Sequence, residues 1–369
     1  MSRPLVEIDT LAAFDTHLDG TAGMCGWFVQ SLDLSDRSHA LTEHDPRAAV
    51  FLGCTFAPGV EEQLRRRGAL VFPRLPDLPF DPYRGSLYDA VELYGPQGLS
   101  AGARYSDSPD AAVYAWSQTS GPPTLGHTLA TALHDHAITD ALDDATAGLD
   151  PHRLVGVMGG HALLRGEPTY AAAADLGSRL AAAGRTVLTG GGPGAMEAAN
   201  LGAYLSTDPA ALPAALELLA AAPGYRTGID RWLRTAFAVR ERWPVEHAGR
   251  SLSVPTWFYG HEPTNVFATG IAKYFANAVR EDTLLHRCRG GIVYLPGQAG
   301  TVQEIFQAAT ENFYAVEAAR IAPMVLVGVE YWTSVYPAWP LLQRLAAGRP
   351  MGSAISCVDS VAEAAELLL

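Results

Sequence analysis

The sequence is almost devoid of lysine. Lys273 is the single lysine among 26 basic residues, so arginine supplies the other 25. The alanine and glycine content indicates a GC-rich genome, which would explain this bias without any functional cause. The shortage still limits the chemistry, because a Schiff-base mechanism through lysine would have to use Lys273. That residue lies in a stretch that we predict to be helical, with no distinctive surroundings, and is a poor anchor for pyridoxal phosphate.

Several familiar signatures are also missing. The four cysteines are scattered, with no CxxC pair and no Cys/His metal spacing, so we expect no metal site. The sequence has no HExxH motif, no pattern resembling a Ser/His/Asp triad and no GK[ST] phosphate loop, which argues against ordinary ATP hydrolysis. No window approaches 18 apolar residues, and the first residues do not resemble a secretion signal. We therefore expect a cytoplasmic protein with no membrane partner.

Positive charge is outnumbered by negative charge. The 39 acidic and 26 basic residues give a net charge of -13, which excludes a generic surface for nucleic-acid polymers. Apolar residues make up 48% of the chain and charged residues 18%, values typical of a globular protein. At 369 residues the chain is long enough for a sizeable core and for two domains.

The hydrophobic pattern predicts an α/β fold. Over residues 1–150 it is weak, with one βαβ-like signature of two strands around a helix at 60–67. From residue 154 apolar strands alternate with helices, at about 154–160, 168–183, 185–189, 195–205, 252–259, 266–285, 291–295, 301–313 and 323–329. We predict a Rossmann-like parallel sheet flanked by helices over 151–369, and an additional N-terminal α/β region of unknown role over 1–150.

Two glycine loops stand out within this pattern. Gly190–Gly194 and Pro296–Gly300 each lie between a predicted strand and a predicted helix. In a parallel sheet both would open at the carboxyl edge, where backbone N–H groups and helix dipoles attract anions. Two such loops on one sheet favour a nucleotide or sugar-phosphate site. The first also fits G-x-G-x-x-A, the dinucleotide fingerprint, but it follows the second strand of its unit and has no acidic strand end about 20 residues on.

Charged side chains accompany these loops. Glu304 lies close to the second loop, and its spacing from Thr301 also fits a capping box at the helix start. Arg280 and Arg287 are seven residues apart, so both could share one helix face. An arginine can hold a phosphate or a ribose hydroxyl, and a carboxylate near an anomeric carbon can assist glycosidic cleavage. The arginine-rich stretch 226–242 could reach a site, make subunit contacts or form a solvated face.

These motifs resemble those of the LOG family, which covers cytokinin-activating phosphoribohydrolases and bacterial nucleotide 5′-monophosphate nucleosidases. Residues 189–198, TGGGPGAMEA, resemble its GGG-x-x-G-x-M motif, and residues 296–304, PGQAGTVQE, resemble its PGGxGTxxE motif. Residues 262–265, EPTN, look like the EPPN loop of the bacterial nucleosidases. The resemblance spans about 154–330. It departs from the family at Gln298, where the motif has a second glycine.

The resemblance implies roles for particular residues. Glu304 corresponds to the catalytic glutamate, and Arg280 to the catalytic arginine after a one-residue gap, since counting without a gap reaches Glu281. Arg287 corresponds to a second basic position, so the choice between the two arginines stays open. The expected substrate and phosphate contacts are Gly190, Gly191, Gly192, Gly194, Met196, Gly297, Gly300, Thr301, Glu262 and Arg287.

The expected function is hydrolysis of the N-glycosidic bond of an AMP-like nucleoside 5′-monophosphate, without a cofactor. The resemblance also implies a homodimer or a higher homo-oligomer. A nucleotide sensor without catalytic activity is the alternative, which Gln298 and the N-terminal region favour. An NAD(P)-dependent oxidoreductase is a third, weaker hypothesis.

Overall fold

The computed structural model describes residues 6–21, 23–95, 103–118, 123–258 and 262–369. Strands and helices alternate through most of these segments. Up to residue 146 the elements are β1 (Val6–Ile8), α1 (Leu11–Asp19), β2 (Trp27–Gln30), α2 (Ser38–Glu43), β3 (Val50–Leu52), α3 (Val60–Arg66), β4 (Leu70–Phe72), α4 (Ala90–Tyr94), α5 (Pro109–Ser117) and α6 (Leu125–Thr146).

From residue 154 to the end of the chain, strands and helices largely alternate. They are β5 (Leu154–Met158), α7 (Pro168–Ala182), β6 (Thr186–Thr189), α8 (Ala195–Tyr204), α9 (Leu212–Ala220), α10 (Ile229–Arg242), β7 (Ser251–Ser253), β8 (Gly270–Ile271), α11 (Asn277–Arg287), β9 (Gly291–Tyr294), α12 (Ala299–Tyr314), β10 (Met324–Val327), α13 (Ala338–Ala346), β11 (Ile355–Val358) and α14 (Val361–Leu368).

The strands form two parallel sheets, which confirms the predicted α/β fold with a Rossmann-like parallel sheet. The smaller sheet has the order β1-β2-β3-β4, and the larger one the order β11-β10-β9-β5-β6-β7-β8. All residues of β5, β6, β9 and β10 are buried. Strands covered by helices on both faces need such continuous apolar runs, which is why these four were visible in the sequence.

The described residues divide into two compact units. One comprises the described residues up to 86 together with 123–142 and contains the small sheet. The other comprises the described residues of 87–118 together with those from 143 onward and contains the large sheet. The first unit has its own core, in which Phe14 and Trp27 meet edge-on at 5.9 Å between ring centroids. Residues 87–95 and 103–118 thus fall with the large sheet. The sequence suggested a division at 150, a boundary that stays a prediction.

Helices α7 and α8 pack unusually closely beside the large sheet. A Cβ on Gly177 would overlap the carbonyl of Ala199, and one on Gly202 would overlap the carbonyl of Ala174. Glycine is therefore required at both crossing points. The close packing fixes α8, whose first turn follows the first glycine loop.

A buried ion pair further anchors α8. Glu197 accepts hydrogen bonds from Arg165 Nε at 3.0 Å and from the Tyr170 hydroxyl at 2.9 Å. Arg165 also donates to the Trp232 carbonyl at 2.9 Å and to Thr235 Oγ1 at 2.9 Å. Because every one of these contacts is internal to the protein, Glu197 belongs to the scaffold that positions the loop.

One helix prediction is wrong. The stretch 266–285 was expected to be a single helix, but it contains the short strand β8 before α11 begins at Asn277. Buried residues occur almost without a break from Val266 to Phe275, because this segment extends the sheet. Such a run does not distinguish a buried strand from a buried helix. Among the described residues, no helix combines the length and apolar character needed to cross a membrane.

Candidate functional site

The first glycine loop, Gly190–Gly194, connects β6 to α8 at the carboxyl edge of the large sheet. Asn265 holds this loop from outside. Its backbone N–H donates to the Gly191 carbonyl at 2.8 Å, and its Nδ2 donates to the Gly192 carbonyl at 3.3 Å. The EPTN stretch 262–265 and the glycine loop therefore form one hydrogen-bonded assembly.

Backbone geometry requires two of the glycines. Gly191 and Gly194 have φ angles of +75° and +72°, in the left-handed region. A Cβ on Gly191 would lie 2.9 Å from Pro255 Cδ, and one on Gly194 would lie 2.5 Å from the Gly160 carbonyl oxygen. Both the conformation and the close approach exclude larger residues.

The first loop forms the wall of a pocket. Six of the predicted site residues line it: Gly190, Gly191, Gly192, Met196, Glu262 and Arg280. Gly194 lies behind them as the N-cap of α8. The structure therefore brings the EPTN stretch and the first loop together with an arginine from α11.

The second glycine loop lies at the reversal of strand order, between β5 and β9. Gly160, just after β5, joins it to the first loop. Its N–H donates to the Pro296 carbonyl at 3.0 Å, and its carbonyl accepts from Ala195 N–H at 3.2 Å. The two loops are thus neighbours at the position where open α/β sheets bind ligands. Among the described residues, the lining of the first-loop pocket does not include Gly297, Gly300 or Thr301.

The glycines of the second loop differ in their surroundings. A Cβ on Gly297 would overlap Thr301 Oγ1, so glycine allows the threonine to pack against the loop. A Cβ on Gly300 would meet no described atom within 4 Å. Gly300 therefore exposes the first turn of α12, where backbone N–H groups favour an anion.

Gln298 fits the loop despite its departure from the family motif. It is the N-cap of α12 with a φ of −104°, a value open to any residue. The structure also excludes the capping box, because α12 begins at Ala299 and no side chain caps it. Thr301 is the third helical residue, and Glu304 lies in the second turn.

Arg280, Glu281 and Glu304 form a buried cluster. Arg280 Nη1 lies 2.6 Å from Glu281 Oε1 and 3.7 Å from Glu304 Oε1. The side chains are only 10%, 2% and 8% exposed. Arg280 Nε is buried and finds no acceptor among the described residues. Arg280 also lines the pocket, and its Nη2 lies on the side of the first glycine loop.

Burial is the main influence on the pKa values of the two carboxyl groups in this cluster. It raises the pKa of Glu304 to about 8, with a further rise from the charge of Glu281 and a partial offset by Arg280. Burial also raises the pKa of Glu281, although its contact with Arg280 opposes this. Glu281 is the closer carboxyl group to the guanidinium, which favours ionisation of Glu281 over that of Glu304. Glu304 then retains its proton.

Glu281 was not recognised as a site residue from the sequence. The motif spacing did point to it, because counting back from Pro296 to the expected position of the catalytic arginine reaches Glu281 when no gap is allowed. The structure places Arg280 and Glu281 in contact. Glu281, the residue reached by the ungapped count, and its neighbour Arg280 therefore both belong to the cluster.

Arg287 does not join this cluster. Its Nη1 donates to the Thr283 carbonyl at 3.0 Å, and its Nη2 pairs with Asp143. The described lining of the pocket does not include it. The side chain of Arg287 is engaged at the end of α6, and its predicted role in binding stays a prediction. Of the two candidate arginines, only Arg280 reaches the pocket.

Glu262 is held by a chain of polar contacts at the edge of the pocket. Its Oε1 lies 3.0 Å from His161 Nδ1, and His161 Nε2 lies 3.1 Å from Arg226 Nη2. Arg226 belongs to the arginine-rich stretch, so one member of that stretch does extend toward the site. Arg231 and Arg234, from the same stretch, are exposed.

Lys273 has a distinctive environment that the sequence did not reveal. Its Nζ is buried and donates to Asp110 Oδ1 at 2.6 Å and to Thr264 Oγ1 at 2.8 Å. Asp110 also accepts from Trp257 Nε1 at 3.0 Å and from the Tyr105 hydroxyl at 2.8 Å. Burial lowers the pKa of Lys273, while Asp110 opposes this shift. Lys273 thus links α5 to the EPTN stretch.

Comparison with family models gives a match within the large-sheet unit. Residues 152–207 match the SLOG cluster4 family model. No curated protein matches the chain. The described structure is similar to a molybdenum cofactor binding protein from Rippkaea orientalis, with 17% identity and a TM-score of 0.36 over 58% of this chain and 93% of that one.

A second similar structure is the molybdenum cofactor carrier protein from Chlamydomonas reinhardtii. It shows 18% identity and a TM-score of 0.36, covering 58% of this chain and 94% of that one. Scores this low support no inference about function or ligand. The family match lies over β5, α7, β6 and α8 and includes the first glycine loop. Over this segment the match to the SLOG cluster4 family confirms the predicted resemblance to the LOG family.

Proposed function

We propose that this protein hydrolyses the N-glycosidic bond of a nucleoside 5′-monophosphate, releasing free base and ribose 5-phosphate. One observation carries the proposal. A buried arginine with an unused donor, Arg280, lines a glycine-loop pocket and contacts a buried carboxyl group, Glu304. This combination offers phosphate recognition and proton transfer within one cluster.

The glycine loops would hold the phosphate. Both lead into helices, α8 and α12, whose N-caps Gly194 and Gln298 provide no side-chain hydrogen bond. Backbone N–H groups at such helix starts are suited to anionic oxygens. Arg280, whose Nη2 faces the first loop, would add a charge-assisted hydrogen bond and so orient the ribose phosphate.

Glu304 would act as the general acid. With a pKa near 8 it carries a proton at neutral pH, and it can donate this proton to a ring nitrogen of the departing base. As the C1′–N bond breaks, positive charge develops on the sugar, as in other glycoside hydrolyses. A water oxygen then bonds to C1′, and its proton returns to the Glu304 carboxylate. The products are the neutral base and ribose 5-phosphate.

A panel of nucleotides tests this activity. The protein is incubated with AMP, GMP, CMP and a cytokinin riboside monophosphate, and released base is measured by chromatography. Base release by wild type and a loss of at least about 100-fold in Glu304→Gln are expected, in line with general acid catalysis. Glu311→Gln, farther along α12, is the matched control and should retain activity. If wild type releases no base from any nucleotide in the panel, the proposal is wrong.

A nucleotide sensor is the second candidate. The described pocket lining includes Arg280 but not Glu304, so a nucleotide could bind there without meeting the acid. The sensor hypothesis predicts thermal stabilisation by a nucleotide with no release of base. The same panel, followed by differential scanning fluorimetry, separates the two functions.

A further inference from the structure

The first-loop pocket has a positively charged side chain at one end and a negatively charged side chain at the other. Arg280 Nη2 lies 3.6 Å from the position that a Cβ on Gly190 would occupy. Glu262 Oε2 lies 3.6 Å from the corresponding position on Gly192. The Arg280 guanidinium therefore lies at the Gly190 end of the pocket, and the Glu262 carboxylate lies at the Gly192 end. The two ends are only two residues apart along the loop.

The carboxylate is fixed in place. Arginine can only donate hydrogen bonds, so His161 Nε2 must accept from Arg226 Nη2 across 3.1 Å. The remaining ring nitrogen, Nδ1, then carries hydrogen and donates to Glu262 Oε1 across 3.0 Å. This arrangement leaves Glu262 Oε2 directed at the loop. The side chain is 30% exposed, which is consistent with a position at the pocket wall.

Charge decides which part of a nucleotide can lie at each end. The phosphate is repelled by Glu262 and attracted by Arg280, so it belongs at the Gly190 end. The group beside Glu262 must be neutral and must donate hydrogen bonds. In a nucleotide, the ribose hydroxyls and the exocyclic amino groups of the base meet this requirement.

Distance separates these two groups. Two residues of chain span at most about 7 Å, so the ends of the pocket are close together. The ribose hydroxyls are one sugar away from the phosphate and fall within this reach. The amino group of a base lies beyond the sugar, on the far side of the glycosidic bond.

We propose that Glu262, held by His161 and Arg226, is the specificity-determining residue that accepts hydrogen bonds from the ribose hydroxyls. It makes the site selective for ribonucleotides over 2′-deoxyribonucleotides. The inference rests on the proposed nucleotide site but not on its catalytic step. A carboxylate acceptor strengthens such hydrogen bonds, so removal of one hydroxyl is expected to weaken binding roughly 10- to 100-fold.

The experiment compares AMP, 2′-deoxy-AMP and 3′-deoxy-AMP on the full chain. Dissociation constants are measured by calorimetry and base release by chromatography, for wild type and for Glu262→Gln. Wild type should bind AMP at least about tenfold more tightly than one of the deoxy forms. Glu262→Gln should lose affinity for AMP and keep its affinity for that deoxy form, so that the ratio falls toward one.

Two further variants complete the design. Arg226→Gln leaves the carboxylate in place but frees His161, and a partial loss of the AMP preference is expected. Glu246→Gln removes an exposed carboxylate of the same charge outside the pocket, and should behave as wild type. Thermal unfolding of each variant confirms that the fold is retained.

The outcomes distinguish this inference from the proposed activity. Equal affinity of wild type for AMP and both deoxy forms overturns the ribose assignment, as does an equal loss for all three in Glu262→Gln. If the preference depends on Glu262 but no base is released, the hydrolase proposal fails while the ribose assignment stands. If base is released from AMP and from both deoxy forms at the same rate, and all three bind with the same affinity, the hydrolase proposal stands while the ribose assignment fails.

Discussion

Glu304 is a carboxyl group whose burial makes it a weak acid. Its pKa of about 8 in the folded protein compares with about 4.5 when it is exposed. Between these values the unfolded chain releases the proton and the folded chain keeps it, so stability falls as pH rises. The same property that would make Glu304 a proton donor thus makes it a source of instability at alkaline pH.

Glu304→Gln tests this linkage without an activity assay. Glutamine has a similar shape but does not ionise. The melting temperature of wild type relative to Glu304→Gln should decline as pH rises from 5 to 8 and then level off. A pH-independent difference between the two proteins, measured by scanning calorimetry, would show that Glu304 ionises normally in the folded state.

The negative charge of Glu281 contributes to the raised pKa of Glu304. Burial is the larger cause of the raised pKa of Glu304, and the charge of Glu281 is the next. Glu281→Gln should therefore lower the pKa of Glu304 and move the alkaline fall of base release to lower pH. Glu281→Asp, which keeps the charge, should restore part of the profile. An unchanged pH profile in Glu281→Gln would contradict this coupling.

Lys273 and Asp110 are both buried, and each compensates the charge of the other. Lys273→Met would leave Asp110 with its Tyr105 and Trp257 contacts but without its cation, and should destabilise the fold by about 3–5 kcal/mol. Asp110→Asn in the same chain should recover part of this loss. Denaturant unfolding of both single variants and the double variant measures the coupling, and strictly additive effects would argue against it.

At the scale of single elements, the strand–loop–helix units determine where the candidate site lies. Both glycine loops connect a buried strand to a helix, and Gly160 after β5 joins them. Their positions could be predicted because local chemistry defines them. Glycine is required where φ is positive, as at Gly191 and Gly194, and apolar runs mark the buried strands.

The second loop offers a matched pair of substitutions. Gly297→Ala would press against Thr301 and should lower stability by about 1–3 kcal/mol, as overpacking does. Gly300→Ala meets no described atom and should leave the melting temperature almost unchanged while weakening AMP binding at the start of α12. Equal destabilisation by both substitutions would contradict the described geometry. Calorimetric titration with AMP provides the second measurement.

At the scale of the whole molecule, residues 87–95 and 103–118 belong to the compact unit of the large sheet. Tyr94 donates to the Thr264 carbonyl at 2.6 Å, and Tyr105 N–H donates to Asp230 Oδ1 at 2.8 Å. Asp110 pairs with Lys273 at 2.6 Å. These contacts make the segment part of the large-sheet unit, although the sequence assigned it to a separate N-terminal region.

A shortened chain of residues 151–369 tests this organisation. Without Asp110, the buried Lys273 has no counter-ion, and the shortened chain should unfold at a lower temperature than the full chain or fail to fold. Lys273→Met in the shortened chain should recover part of the stability. If the shortened wild-type chain melts at the same temperature as the full chain, residues 87–118 do not contribute to this unit.

The sequence by itself determined the α/β class and both glycine loops, and its resemblance to the LOG family singled out Glu304 as the candidate acid. Each depends on neighbouring residues: alternation of apolar runs, glycine at tight turns and motif spacing. Only the tertiary structure decided that Arg280 reaches the pocket while Arg287 pairs with Asp143. It also revealed the carboxylate Glu281 beside Arg280 and the buried partner of Lys273. Contacts between distant residues leave no periodic signal in the chain, because folding alone brings them together.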